Sequence, residues 1–393
     1  MPVKTLIELY DEQAIHNVLA TEVFRPERTV MICPNTVKKS QKDSLKKYFR
    51  ERKCKANLVF YSVDMLDARS LASRLAEVVE RYEDCAVDIA GGTDAALFAA
   101  GSVCAMLDIP AFTYSRRRNT FYEIQQAPYA RGLRCDVRLR VSDAFLMAGG
   151  SMLPGRMDNR QLESVLPMID PFFATYEQYR REWTKIISYM QKISRNDDLH
   201  AEGPIAVHAV RNATVHVNRD ALKMFEAIGM IRNLRFSDDT VSFTFTNEIT
   251  RFALRDVGSV LELYIWKACK DAGVFDDVCL SAIVNWEGET VRSDSVTNEI
   301  DVACTRGVMP LFISCKTNAI KTEALNELAI LRDRFGAPTA RAVIVSSSVS
   351  SHDRAAMRRR ASELDIAVIE QNGLRPDVLA EQLKSLSELR DKI

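Results

Sequence analysis

The chain has 393 residues, too many for one ordinary domain and suited to two or three. Hydrophobic residues make up 47% and charged residues 27%, and 53 basic residues balance 53 acidic ones, so no global basic field marks a nucleic-acid binder and any such contact must be local. Nine scattered cysteines without a C-x-x-C pair argue against a disulfide framework or a zinc site and point to a reducing compartment.

The N-terminal MPVKTLIELYDEQ lacks a signal-peptide apolar core, and no run is long enough to span a membrane. A cytoplasmic protein is therefore expected. KTLIELY reads as a strand, and DEQAIHNVLA opens a helix. RTVMICP is a strand, followed by a helix around KKSQKDSLKKYFRERK. NLVFYSV is a strand, and LDARSLASRLAEVVERY is a helix with apolar residues at helical spacing. CAVDIA is a strand, GGTDAALFAAGSVCAML a helix, and IPAFTYSRRRNTFYEIQ an appended hairpin. Such strand-helix repeats predict a parallel, doubly wound α/β domain over residues 1–145.

From about Ser142 the pattern turns helical, with loops expected around MLPGRMD and LPMIDPFF. FATYEQYRREWTKIISYMQKI is strongly helical. ALKMFEAIGMIRNLRFSDDTVSFTFTN reads as helix, short turn and two-stranded wing, which suits a helical, winged-helix-like connector over 146–246. The AVHAVRNATVHVN stretch is strand-like, and its His208 and His216 read as packing or solvent-facing residues.

A third α/β unit follows over 247–393. Its order is helix (VGSVLELYIWKACKDAG), strand (VCLSAIVNW), hairpin (NEIDVACTRGVMPLFISCKTN), helix (EALNELAILRDRFG), strand (ARAVIVSSS), helix (DRAAMRRRASEL) and strand (IAVIE). In the hairpin, Glu299 to Cys304 and Leu311 to Lys316 are the strands, with Gly307 and Pro310 in the connection.

In open α/β sheets, ligands bind beyond the carboxyl ends of the strands. Here those ends are Asp11-Glu12-Gln13, Pro34-Asn35-Thr36, Asp64 and Gly91-Gly92-Thr93-Asp94. The two glycines allow close approach of backbone to a ligand. Free N–H groups at the following helix start favour a phosphate. The simpler reading is a plain strand-to-helix turn capped by Thr93 or Asp94. Neither G-x-G-x-x-G nor G-x-x-x-x-G-K-[ST] is present, which argues against a dinucleotide fingerprint and ATP hydrolysis.

KTLIELYDEQAIHNVLA, FRPERTVMICP and DIAGGTDAALFAAG resemble the CARF (CRISPR-associated Rossmann fold) domain, and the order of parts resembles the CARF-nuclease fusions of type III CRISPR immunity. The resemblance implies an N-terminal Rossmann-like CARF domain that pairs across a two-fold axis into a homodimer. It implies that cyclic oligoadenylate, with cyclic tetra-adenylate favoured, binds the shared cleft as activator. Carried to matching positions, it implicates Gln13, Asn35, Thr36, Gly91, Gly92, Thr93, Asp94 and Arg116.

Alternation along the hairpin puts Glu299, Asp301 and Ala303 on one face and Ile300, Val302 and Cys304 on the other. Ser314 and Lys316 share a face of the second strand, with Ile313 and Cys315 opposite. A turn centred near Gly307 allows Asp301 to lie opposite Ser314, but the sequence does not fix that register, and a one-residue slip would reverse it. An acid and a lysine then converge at one sheet end. Metal-assisted phosphodiester cleavage needs such a set: carboxylates hold Mg²⁺ or Mn²⁺, the metal polarises the phosphate, and a lysine steadies water or charge.

The arrangement resembles the PD-(D/E)xK nuclease core of restriction-endonuclease-like domains, with Asp301 as its acid and Lys316 as its lysine. Ser314 departs from the pattern, because an acid is usual there. Glu262, on an apolar helix flank with Gly258, Ser259, Ile265 and Trp266, is the candidate for the missing carboxylate. Glu299 could assist, and the Cys315 carbonyl is a further metal donor. The competing reading is a structural Asp301–Lys316 ion pair at a sheet edge. Lys321, Glu323 and Glu327 read as helix-surface residues, Arg358-Arg359-Arg360 as a solvated face within reach of phosphates, and Ser346-Ser347-Ser348 as a strand end.

The function expected is therefore a ligand-activated, metal-dependent nuclease acting on DNA, RNA or both. A CARF-type DNA-binding regulator using the winged-helix-like middle, and a CARF domain that degrades its own ligand, are the competing readings.

Overall fold

The computed structural model describes residues 3–153, 159–195, 197–208, 214–288, 295–336, 339–348 and 354–388. The chain opens with strand β1 (Thr5–Leu9), a 3-10 turn (Ala14–Asn17) and helix α1 (Leu19–Phe24). Then come β2 (Arg28–Pro34), α2 (Lys39–Glu51), β3 (Asn57–Val63), α3 (Ala68–Arg81), β4 (Cys85–Asp88), α4 (Asp94–Leu107), β5 (Ala111–Ser115) and β6 (Thr120–Gln125). The sheet order is β3-β2-β1-β4-β5-β6, parallel except for β6. Burial explains the layering. Leu71, Leu75 and Val78 of α3 close one face, while Leu45, Tyr48 and Phe49 of α2 close the other. Asp67 caps α3 by accepting from the Arg69 and Ser70 N–H groups.

Helix α5 (Val141–Met147) and strand β7 (Ser151–Met152) follow. Sequence divided this stretch between the first domain and the connector, but it packs on the C-terminal sheet. Strand β7 pairs with a strand of that sheet, and the Phe145 ring meets Phe312 at 5.8 Å and Phe335 at 5.4 Å. Residues 154–158 of the expected MLPGRMD loop lie outside the described residues.

The connector holds α6 (Asn159–Glu163), α7 (Leu166–Gln178), α8 (Trp183–Ile193), β8 (His200–Pro204), β9 (Ala206–His208), β10 (Thr214–His216), α9 (Arg219–Ala227), β11 (Ile231–Phe236) and β12 (Thr240–Phe245). Three sequence expectations change here. LPMIDPFF is not a loop: it forms the start of α7, with Pro167 in the first turn, where its missing N–H costs nothing. Pro171 stays inside the helix because Ile169, Phe172, Phe173 and Tyr176 are buried, and that packing overrides propensity. The long helical stretch is two helices, broken between Gln178 and Trp183. The wing has three strands, ordered β11-β12-β8. His208 and His216 sit exposed on the β9/β10 ribbon.

The C-terminal unit runs α10 (Glu248–Ala253), α11 (Ser259–Asp271), β13 (Asp277–Asn285), β14 (Thr297–Arg306), β15 (Met309–Lys316), α12 (Thr322–Phe335), β16 (Arg341–Ser346), α13 (Arg354–Glu363), β17 (Ile366–Glu370) and α14 (Pro376–Leu386). Its sheet order is β17-β16-β15-β14-β13-β7, with β15, β16 and β17 parallel and the rest antiparallel. The hairpin turn is Gly307-Val308, with Gly307 at φ +56°. Pro310 belongs to β15, opposite Thr305, and not to the connection. The connector shares one core with this sheet: Trp183, Phe225 and Phe243 belong to the same buried cluster as Leu311, Ile313 and Val343. An ion network ties the first domain to α5: Arg52 donates to Glu22 at 3.1 Å and to the fully buried Asp143 at 3.4 Å.

Candidate active site and ligand cleft

Strands β14 and β15 carry most of the candidate chemistry. Their register runs Arg306 with Met309 through Val302 with Ile313, so Asp301 stands level with Ser314, as the sequence reading favoured. The Asp301 carboxylate accepts from the Cys315 backbone N–H at 2.6 Å and lies 3.3 Å from the Ser314 hydroxyl. Lys316 Nζ is 3.6 Å from the same oxygen.

Strict alternation fails at this point. Ile300 and Ala303 pack in the core beneath α12, whereas Val302 and Cys304 pack in the core beneath α11. Asp301 therefore sits where the strand changes face, and the Glu299-Asp301-Ala303 face expected from sequence is not a single face. The side chains of Ile313 and Cys315 do share the α11 side. Glu299 is exposed.

Glu262 reaches the site from α11. Asp256 caps this helix, accepting from the N–H groups of Gly258 and Ser259 and from the Ser259 hydroxyl. Gly258 keeps space for both acids: a Cβ there would lie 2.9 Å from Glu262 Oε1 and 3.3 Å from Asp256 Oδ2. Burial, then the neighbouring Asp301, Asp256 and Glu299 carboxylates, push Glu262 up to about 8, against the opposing pull of Lys316. Burial likewise raises Asp301, offset by Lys316, the Cys315 N–H and the Ser314 hydroxyl. Among the described residues, no three His, Cys, Asp or Glu side chains gather as a metal cluster. What the site holds is two carboxylates whose charged forms burial disfavours, beside one ammonium group.

Lys316 is braced from below. Its carbonyl accepts from the Ser347 N–H at 3.1 Å, and the buried Ser347 hydroxyl meets the Tyr176 hydroxyl at 2.6 Å. Of the basic run, Arg358 pairs with Glu370, as does Arg354, and Arg360 pairs with Glu363. Glu327 is exposed and accepts from Asn298 at 2.8 Å.

The other candidate site lies at the strand ends of the first domain. Asp11 organises it, accepting from the Gln13 N–H and the Gly92 N–H, both at 2.7 Å. The Gly92 N–H, expected to be open to a phosphate, is thus occupied by a carboxylate. The Thr93 hydroxyl caps α4 and donates to the Met65 carbonyl. The glycines answer to packing. A Cβ on Gly91 would lie 2.9 Å from Asp11 Cβ, and one on Gly92, at φ +107°, 2.9 Å from Leu9 Cβ. Asn35, Thr36 and Asp94 are exposed.

Gln13 and Arg116 line a cleft of about 1040 Å³ that also takes in His16 and Ser115 and is closed on the other side by Arg341 and Arg358 of the C-terminal unit. His16 Nε2 lies 3.1 Å from the Gln13 amide oxygen, and its Nδ1 is buried without a partner among the described residues. Burial lowers the His16 pKa, Asp11 opposes this, and Arg116 adds to it.

Comparison with known proteins follows this division. Residues 246–387 match the family described as Card1-like, endonuclease domain. The C-terminal unit is thus an endonuclease domain by family. No curated protein matches the chain in sequence. Solved structures share the fold along nearly its whole length, two of them as follows. Protein VC1899 from Vibrio cholerae superposes with a TM-score of 0.75 at 19% identity, covering 97% of this chain and 98% of that one. Can2 from Sulfobacillus thermosulfidooxidans, solved in complex with cyclic tetra-adenylate, gives 0.72 at 14% identity, covering 98% and 99%. The α/β reading of the fold holds.

Sequence reasoning missed Asp256 and Ser347 of the C-terminal unit and Tyr176 of the connector. An acid two residues before Gly258 is a helix-cap signal that was available; the Tyr176–Ser347 contact joins residues 171 positions apart and had none. His16, three residues after Gln13 on the same turn, was legible as a neighbour of the ligand end. Among the described residues, no helix is long and apolar enough to cross a membrane.

Proposed function

We propose that the protein is a cyclic-oligoadenylate-activated, divalent-metal-dependent nuclease of the PD-(D/E)xK kind, working as a homodimer in CRISPR antiviral defence. The observation that carries this is the convergence of Asp301, Glu262 and Lys316 in a domain matching the Card1-like endonuclease family. Two carboxylates whose charged forms burial disfavours fit a hard dication, whose charge would offset that desolvation. Asp301 and Glu262 would hold Mg²⁺ or Mn²⁺, with the Cys315 carbonyl and the neutral Ser314 hydroxyl as weaker donors. The metal would supply a polarised phosphate and a more acidic water. Lys316 holds the attacking water and faces the charge that builds on the phosphate oxygens as the water oxygen bonds to phosphorus and the leaving oxygen departs.

For activation, Gln13, His16 and Arg116 offer an amide, an imidazole and a guanidinium to a phosphodiester ring, with Gly91 packed against His16 and Asp11. The cyclic tetra-adenylate bound to Can2, a protein of the same fold, makes that ring the first to try. Pairing is supported by α4, whose outer face is apolar and open. Phe98 is 70% and Met106 71% exposed, Leu66 is 79% exposed nearby, and a Cβ on Gly101 would meet nothing within 4 Å.

The test is cleavage of single- and double-stranded DNA and RNA, with and without each ring size, in Mg²⁺ and Mn²⁺. Ligand- and metal-dependent products support the reading. No cleavage under any combination, with ligand binding intact, returns the Asp301–Lys316 contact to an ion pair and favours the regulator.

A further inference from the structure

Strand β13 carries a residue that ordinary strand geometry does not explain. Ser281 has φ +50°, a left-handed backbone in the middle of a nine-residue strand. It is 1% exposed, and its hydroxyl has no partner among the described residues, so no side-chain hydrogen bond accounts for it. The ladder between β13 and β14 pairs Leu280 with Val302 and Ala282 with Ile300, and the rung between them, Ser281 against Asp301, is missing.

On both strands the faces change at that rung. Leu280 and Val302 lie in the core beneath α11, and Ala282 and Ile300 lie in the core beneath α12. A regular pleat would stand the Asp301 side chain perpendicular to the sheet. The carboxylate instead turns along the sheet to the Cys315 N–H at 2.6 Å, with Lys316 at 3.6 Å. A strained residue that persists opposite a candidate catalytic acid is the pattern expected of stored positioning strain.

We propose that the left-handed backbone of Ser281 is a positioning device that aims Asp301 at Cys315 and Lys316, and that the conformation matters rather than the hydroxyl. This rests on the metal-dependent nuclease reading for its consequence, but the geometry can be read without it. Three variants separate the possibilities. Ser281→Gly accepts φ > 0 freely, Ser281→Ala removes only the hydroxyl, and Ser281→Val resists the left-handed region through its branched Cβ.

Manganese affinity by calorimetry, the melting temperature and the Asp301 carboxyl titration by NMR are measured for each. The Gly and Ala variants should bind Mn²⁺ within about threefold of wild type, and the Gly variant should melt no lower. The Val variant should bind at least about tenfold more weakly, the usual size of a lost supporting contact. Its Asp301 should also titrate higher, because the Cys315 N–H no longer stabilises the anion. An Ala variant as impaired as Val, or a Gly variant that loses both stability and metal, overturns the proposal. If Val does not fold, the Gly and Ala arms decide. If wild type binds no metal at all, the function reading fails, and the Asp301 titration still tests the positioning.

Discussion

Asp301 Oδ2 lies 3.6 Å from Lys316 Nζ while the same oxygen accepts the Cys315 N–H at 2.6 Å, so one carboxylate spans both the backbone and the ammonium of β15. Removing either charged partner should therefore act on chemistry more than on folding. Asp301→Asn and Lys316→Ala should each lower the cleavage rate by about 10²-fold or more. Ligand affinity should stay unchanged, since Gln13 and Arg116 stand on the other domain. Single-turnover cleavage together with ligand titration reads both, and a variant that loses ligand binding in step with activity would contradict the division.

Glu262 and Ser314 should separate. Glu262→Ala takes away a carboxylate whose ionisation the site already strains, whereas Ser314→Ala takes away a neutral hydroxyl 3.3 Å from Asp301. The Glu262 variant should need at least about tenfold more Mn²⁺ for half-maximal cleavage, and the Ser314 variant should stay within about threefold. A dead Ser314 variant beside an active Glu262 variant would reverse the allocation.

The pH dependence follows from the same group. In the folded, metal-free protein, Glu262 holds its proton up to about 8, against 4.5 for an ordinary glutamate. Its contribution to stability is thus full below 4.5 and is lost as pH rises through about 8. The melting temperature of the metal-free protein should fall across that window, and Glu262→Gln should flatten the fall. Mn²⁺, which competes with the proton, should raise the melting temperature more at about pH 8 than at about pH 6. A metal effect that is independent of pH would exclude Glu262 as a ligand.

At the ligand end, Arg116→Ala should weaken cyclic tetra-adenylate binding by about tenfold or more, the scale of a lost charged hydrogen bond. Gly92→Ala should behave differently. At φ +107° and with Leu9 Cβ 2.9 Å away, it should cost about 1–3 kcal/mol of stability whether or not ligand is present. Thermal melts with and without ligand distinguish the two.

Pairing through α4 predicts that Phe98→Asp converts a dimer into a folded monomer in light scattering, because the ring is 70% exposed in the single chain and its loss opens no cavity there. Gly101→Arg should act alike, its side chain entering space left open in the monomer. A wild-type monomer, or a dimer that survives both changes, would place the interface elsewhere.

Local pattern carried much of this. The period-2 and period-3.6 runs placed the strands and helices of both sheets, and the turn at Gly307 allowed, without fixing it, the register in which the structure sets Asp301 level with Ser314. The apolar flank of Glu262 was enough to turn that acid toward the protein. Each of these signals is short-range: a repeat, a turn residue or a helix face read within a dozen positions. The third strand of the wing was invisible because HAEGP has no strand-like pattern, and its partner β12 lies some forty residues on.

What the tertiary structure alone decided is where these signals conflict or end. Buried Phe172 and Tyr176 hold a helix across Pro171, which propensity would have broken. The carboxylate of Asp11, and not an open phosphate site, takes the Gly92 N–H, because two loops 81 residues apart meet there. Asp301 points along the sheet because Ser281, twenty residues away on the neighbouring strand, takes a left-handed backbone that no residue preference foretells. Periodicity assumes a regular pleat. Only packing on both faces of the sheet can hold a strand out of it at the one rung where the candidate acid stands.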